Sequence, residues 1–329
     1  MLGNTIRRTF LFSGLLLLSS AVQAKNAELG SQIEALWQAN DYAAAQALLA
    51  PLVTKKTKDA QLLALLGRTE AGLQQMERAE ELLEKAIKYD ASNADYQHWY
   101  ATASCNLAGS ASMFSALGYA KRCKKAYQTA LKLAPDNPRS YIALGSFLAQ
   151  APGIAGGDKD QALQLAEKLK QLDETQGWLL QLKLTDFADE AAFNQFLATA
   201  ELLQQRPEPY FQRAMQLVSQ DNFSAAIVLL QQAIQQTATD DGARASITES
   251  YYQLARCAVL GKTAIPEGIA AMQQYLQDNP GSERHDWAQL RLAQLYLLAD
   301  APDKAKAITE PLLASTDDDK LKAELKKLL

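Results

Sequence analysis

The sequence predicts an all-α fold, a solenoid of antiparallel helix pairs. Two observations predict it. Residues 26–59 and 60–93 are successive blocks of equal length, and each reads as two helices. Small residues recur at set places in such blocks, among them Gly67, Ala79 and Ala86, with large apolar residues between them. A fixed period of this length marks stacked units that bury their apolar faces on one another.

The elements follow in chain order. Residues 1–24 read as a secretory signal peptide: Arg7 and Arg8, an apolar run from Phe10 to Leu18, then Val22-Gln23-Ala24 before a cut. The run is too short to span a bilayer, and no Cys stands near the cut to carry a lipid. The leader has a bacterial pattern and so predicts the periplasm; a eukaryotic secretory route stays open.

Residues 25–176 read as an N-terminal array. Block 26–59 carries Asn40-Asp41-Tyr42, Ala45 and Leu49. Block 60–93 carries Leu63, Leu66, Gly67, Ala79, Leu83 and Ala86. Block 94–137 carries Trp99-Tyr100-Ala101, Cys123, Tyr127, Ala130 and Pro135. Block 138–176 carries Tyr141, Leu144-Gly145, Ala162 and Ala166. The stretch 177–206 reads as a degenerate repeat or hinge, with Lys183 and Gln195 at the close-packed places. Residues 207–329 read as a second array: Tyr210, Ala214, Phe223, Ala226 and Ala233, then blocks near 248–281 and 286–316. A last helix from Lys320 caps the open end, with Asp317-Asp318-Asp319 at its positive pole.

The set Leu63, Leu66, Gly67, Ala79, Leu83, Ala86 resembles the tetratricopeptide repeat (TPR), which implies a right-handed solenoid. The physical need is close approach. Gly67 and Ala79 have almost no side chain, so two helices cross there, and the leucines fill the surrounding space. The stretch Ala149 to Ala162 resembles one found in a group of uncharacterised, exported bacterial TPR proteins. The segment Tyr275 to Tyr296 resembles repeats of outer-membrane assembly and cell-division coordinators.

Two insertions depart from the repeat, both between the helices of a pair. Asn106 to Leu117 is rich in small residues and reads as flexible apart from Met113 and Phe114. Gln150 to Lys159 holds Pro152 and three glycines, and Asp158 is placed to cap the next helix. Two readings stay open: a composite site at one edge, or wide turns that pack Phe114 and Ile154 onto neighbouring repeats. The glycines do not form a phosphate loop, which needs Lys-Ser/Thr after its last Gly.

Three cysteines raise the question of redox state. Cys105 and Cys123 fall on adjacent antiparallel helices. They read either as a disulfide or as two small buried residues; spacing alone cannot supply the Cα distance a bridge needs. Cys257 would stay unpaired and buried. His98 and His285, the latter expected in the loop before Trp287, lie in distant blocks, no Cys-x-x-Cys occurs, and no nucleophile elbow is present. The expectation is therefore no catalytic residues, no metal and no cofactor. Asn222-Phe223-Ser224 matches a glycosylation sequon but reads as a turn before a helix.

The net charge is −4, and the two Arg of the leader leave the remainder at −6. That disfavours nucleic acid, which needs a basic face. Helical phase predicts a concave face lined by Arg68, His98, Thr102, Arg139, Ile142 and Ser146, with Asp95 beside them, and by Glu208, Phe211, Met215 and Val218 further on. The first set suits an extended peptide with carboxylates; the second suits an apolar helix. The functional expectation is a non-catalytic periplasmic scaffold or adaptor that binds peptide segments or proteins in cell-envelope assembly. The alternative is a small-molecule or glycan-binding module built on the insertions and the Trp99/His98 surface, which would require an enclosed apolar cavity beneath the insertions.

Overall fold

A computed structural model describes residues 28–328, and the leader expected at 1–24 lies outside the described residues. The described chain is helical throughout, with no strand. It divides into two compact units, 1–172 and 173–329.

The first unit holds eight α-helices among its described residues. They are α1 (28–38), α2 (Tyr42–Leu49), α3 (Ala60–Gly72), α4 (Met76–Tyr89), α5 (Ala94–Ser110), α6 (Met113–Leu133), α7 (Pro138–Gln150) and α8 (Lys159–Leu172). Each packs on the next along the chain from α2 onward. The helices begin where a side chain caps them: Asp41, Asp59, Asn93 and Asn137 each accept a bond from a backbone N–H of the first turn. In the pair α3–α4, Gly67 sits where an added Cβ would stand 2.8 Å from Leu83 Cγ and 3.3 Å from the Ala79 carbonyl oxygen. This is the crossing that the Leu-Gly pair predicts.

Five of the turns between paired helices share one geometry. Asn40, Gln74, Asp221, Lys262 and Asp300 all adopt positive φ. The next residue's N–H then returns to the fifth carbonyl before it, as in Asp41 to Leu36, Gln75 to Glu70 and Asn222 to Leu217, each 2.9 Å. This is the helix-terminating bond of a Schellman motif.

The insertions break that pattern, and the first is not the flexible loop expected from its small residues. It lengthens both helices instead: α5 has 17 residues and α6 has 21, against 13 and 14 in α3 and α4. Only Ala111 and Ser112 lie between them. The Asn106 amide and Ser110 hydroxyl bond back to the Thr102 and Asn106 carbonyls. The second insertion is a closed turn. Gly156 has φ of 100°, and a Cβ on Gly157 would overlap the Ala151 carbonyl oxygen. The Asp158 N–H reaches the Leu148 carbonyl at 2.9 Å, and Asp158 caps α8. Lys124 Nζ of α6 donates to the Gly156 carbonyl at 2.8 Å. Phe114 and Ile154 do not pack on neighbouring repeats; they are 91% and 80% exposed.

Cys105 and Cys123 are bridged, with Cα atoms 5.2 Å apart, so α5 and α6 are joined covalently. Cys257 is buried and free, and burial pushes its thiol up to about 11.

The second unit runs α9 (Glu174–Leu184), α10 (Glu190–Thr199), α11 (Pro207–Ser219), α12 (Phe223–Ile234), α13 (Asp241–Gly261), α14 (Ile265–Asp278), α15 (His285–Leu298), α16 (Pro302–Ser315) and α17 (Asp319–Lys326). The stretch 177–206 folds around its own core of Leu182, Phe187, Phe193, Leu197 and Leu203. Lys183 and Gln195, assigned to close-packed places, are exposed. The true register is one or two residues away, at Leu182 and Leu197, because the apolar side chains outcompete the spacing of the repeat. The last helix buries Leu321 and Leu325 against Leu290 and Leu312, and Asp318 caps it.

Candidate functional site

The first helix of each pair in the first unit contributes to one recess of about 320 Å³. Trp37 comes from α1, Arg68 from α3, Asp95 and Trp99 from α5, and Arg139 from α7. The residues form a ladder of rings and guanidinium groups. Arg68 Cζ lies 3.9 Å from the Trp37 ring centroid and 4.5 Å from that of Trp99. Arg139 Cζ lies 4.8 Å from the Trp99 centroid. Such contacts attract through the ring quadrupole and hold a cation without using its N–H donors. Trp37 is itself fixed, because its Nε1–H donates to Thr69 Oγ1 at 3.1 Å.

Two acids balance the charge from a distance. Glu34 stands 3.9 Å from Arg68, and Asp95 stands 3.9 Å from Arg139. Both separations exceed a hydrogen bond. Burial, then the charge of Arg139, lowers the pKa of Arg68 from its ordinary value, and the guanidinium stays a cation. The result is a pair of positioned cations in one recess with donors left over.

His98 and Thr102, expected in the groove, are placed elsewhere. His98 is buried, its ring 5.7 Å from Trp99 and 5.5 Å from Tyr127. Burial and the Arg139 charge push its pKa down to about 4, so the ring is neutral at pH 7. Thr102 uses its hydroxyl inside the fold, 3.1 Å from the His98 carbonyl and 3.1 Å from Tyr127 Oη. The cause is helical phase: α5 packs against α4 and α6, so the sector holding His98 and Thr102 faces Tyr127.

Ile142 is half-buried on α7, and Ser146, one turn further, lines a different cavity of about 610 Å³. That second cavity lies between the two insertions and is open to solvent. In the second unit, Phe211 and Val218 pack on the core, Met215 is half-buried, and Glu208 pairs with buried Arg206. The apolar set expected there is thus largely packing. His285, expected in a loop, starts α15 and is half-buried. Trp37 was not legible as a site residue. It lies in the last turn of a short helix, where phase is least defined. Among the described residues no group of three His, Cys, Asp or Glu side chains is close enough to hold a metal ion.

A family model described as tetratricopeptide repeat matches residues 36–102 and 262–329, and a second of the same description matches 105–137. Together they cover about half of the chain. No curated protein matches the sequence. Among solved structures, the yeast Tom70 superposes with a TM-score of 0.58 at 19% identity, over 87% of this chain and 57% of that one. A chain of the APC/C hetero-tetramer Cut9–Hcn1 gives 0.49 at 16%, over 90% of this chain and 48% of that one. A thermophilic TPR protein of Thermus thermophilus gives 0.44 at 15%, over 68% and 98%. The chain thus spans about half the length of the first two.

Proposed function

Since the chain belongs to the tetratricopeptide repeat family, we propose that it is a non-catalytic scaffold whose Trp37–Arg68–Trp99–Arg139 ladder holds an extended, carboxylate-bearing peptide of a partner protein. The observation that carries this reading is the state of the two arginines. Each is held by ring contacts, yet neither spends a hydrogen bond on Glu34 or Asp95. Side-chain exposures of 30% and 45% leave both within reach of a ligand. A guanidinium fork matches a carboxylate with two parallel bonds, and the ladder fixes both forks in advance.

The compartment we propose is the periplasm, with a role among cell-envelope proteins. The Arg7-Arg8 leader and the Cys105–Cys123 bridge support it, since disulfides persist where the surroundings oxidise. Cell fractionation with an antibody to the protein tests this directly; recovery in the cytosol would refute it. The negative net charge favours a protein partner over nucleic acid.

The binding test uses an array of peptides ending in free or amidated carboxyl groups. Capture of the free-acid, acidic peptides is expected, with loss of about ten-fold or more in the double variant Arg68→Ala, Arg139→Ala. Arg68→Lys should not restore it, because an ammonium cannot replace a stacked fork. Equal capture by the double variant at low salt would refute the reading.

A further inference from the structure

The cavity between the insertions has a different chemistry from the arginine groove, and it stands independently of the reading above. It is walled by α5, the open face of α6, α7 and the turn at 153–155. Its volume of about 610 Å³ falls in the ~300–1,000 Å³ range of pockets that take small ligands. Its lining is apolar with few polar residues: Ser146, Gln150 and Tyr127, whose hydroxyl is engaged with Thr102.

The space exists because of side-chain size. At Ala108, Gly109, Ala116 and Ala143 the walls offer almost no side chain, so the helices stand around a gap that nothing fills. At its rim, Met113 is 80% exposed and Ile154 80%, and Phe114 beside Met113 is 91% exposed. No other large apolar side chain among the described residues exceeds 54%. Apolar surface concentrated in this way marks a binding site rather than ordinary surface scatter.

The helix α6 is also strongly basic. Between Met113 and Leu133 the helix holds Lys121, Arg122, Lys124, Lys125 and Lys132 and no acid, in a chain whose net charge is −4. Lys121, Lys124 and Lys125 line a smaller recess on the far side of the 153–156 turn, and Ile154 and Ala155 border both spaces. Lys124 is committed to the Gly156 carbonyl, whereas Lys121 and Lys125 have no ion pair among the described residues. An apolar cavity and a row of free ammonium groups therefore meet across one turn.

We propose that this cavity binds a single-chain anionic amphiphile, a long-chain fatty acid or a molecule of the same build. The acyl chain lies among the alanines between α5, α6 and α7, and the carboxylate lies over the 153–156 turn beside Lys121 and Lys125. The chain gains by leaving water, and the lysines provide the preference for a charged head.

The test is calorimetric titration of the whole protein, with its disulfide intact, with palmitate below its aggregation concentration. One saturable site per chain is expected. Ala116→Trp should abolish it by filling the gap. Because that change could disturb folding, Ile154→Asp at the exposed rim is the second variant, expected to weaken palmitate about ten-fold with no change in melting temperature. Lys121→Glu with Lys125→Glu should weaken palmitate several-fold but leave neutral hexadecanol unaffected. Binding that is absent, or unchanged in the Ile154 and Ala116 variants, would overturn the proposal. So would binding only to anionic vesicles with none to free palmitate, which would make this a membrane-facing surface. Arg68→Ala, Arg139→Ala should bind palmitate normally, so failure of the peptide reading and failure of this one are distinguishable.

Discussion

His98 shows how one residue changes meaning between phase and packing. By phase it belongs to a groove; by packing it is enclosed by Trp99 and Tyr127 and held neutral. Its folded pKa of about 4 lies below the ordinary value of 6.5. Between those values the unfolded chain takes up a proton that the folded chain refuses, so stability falls as pH drops through that window. At pH 5 the loss relative to pH 7 from this group is roughly 2 kcal/mol. Urea denaturation at the two pH values should show it. His98→Gln should be less stable at pH 7 but should lose less on acidification. Parallel pH dependence in the two proteins would show that the imidazole is not the group responsible. Gly67 is the opposite case, a residue whose role was plain from sequence. A Leu-Gly pair on one helix and an alanine on the next leave one arrangement, and Gly67 occupies it against Leu83 and Ala79.

At the scale of elements, the insertions are the most informative departure. Small residues suggested loose chain, but alanine also favours helix, and here it extends α5 and α6. The Cys105–Cys123 bridge joins them beside the cavity. A bridge across a sequence separation of 18 contributes about 3 kcal/mol by restricting the unfolded chain. The variant Cys105→Ser, Cys123→Ser should therefore melt below the wild type, and hydrogen exchange should rise first in the adjoining ends of α5 and α6. Thiol titration of denatured, unreduced protein should find one free thiol per chain, from Cys257. Three thiols in freshly isolated protein would show that the bridge does not form.

For the whole molecule, each unit is a run of helices that pack chiefly on their chain neighbours. Stability is then mainly a sum of local terms. A fragment ending at Leu172 should remain helical and melt cooperatively. Circular dichroism of that fragment checks this, and a disordered spectrum would argue for a single cooperative body. The boundary falls before the stretch 177–206, which packs its own core around Phe187 and Phe193. No helix among the described residues is long and apolar enough to cross a membrane.

By itself the sequence determined the helical class and, where the repeat is regular, the pairing of helices and the place of closest contact at Gly67. Those depend on period and side-chain volume, and both are read directly from a line of letters. Helical phase nominated Arg68 and Arg139 together with His98 and Thr102, and of these four only the two arginines line the recess. Only the tertiary structure decided what surrounds each face. It put Trp37 beside Arg68 from a different helix, turned His98 and Thr102 inward, and opened a cavity between the insertions. Those outcomes depend on how helices distant in sequence meet, and on side chains too small to fill the space between them. Neither is a property of any single segment.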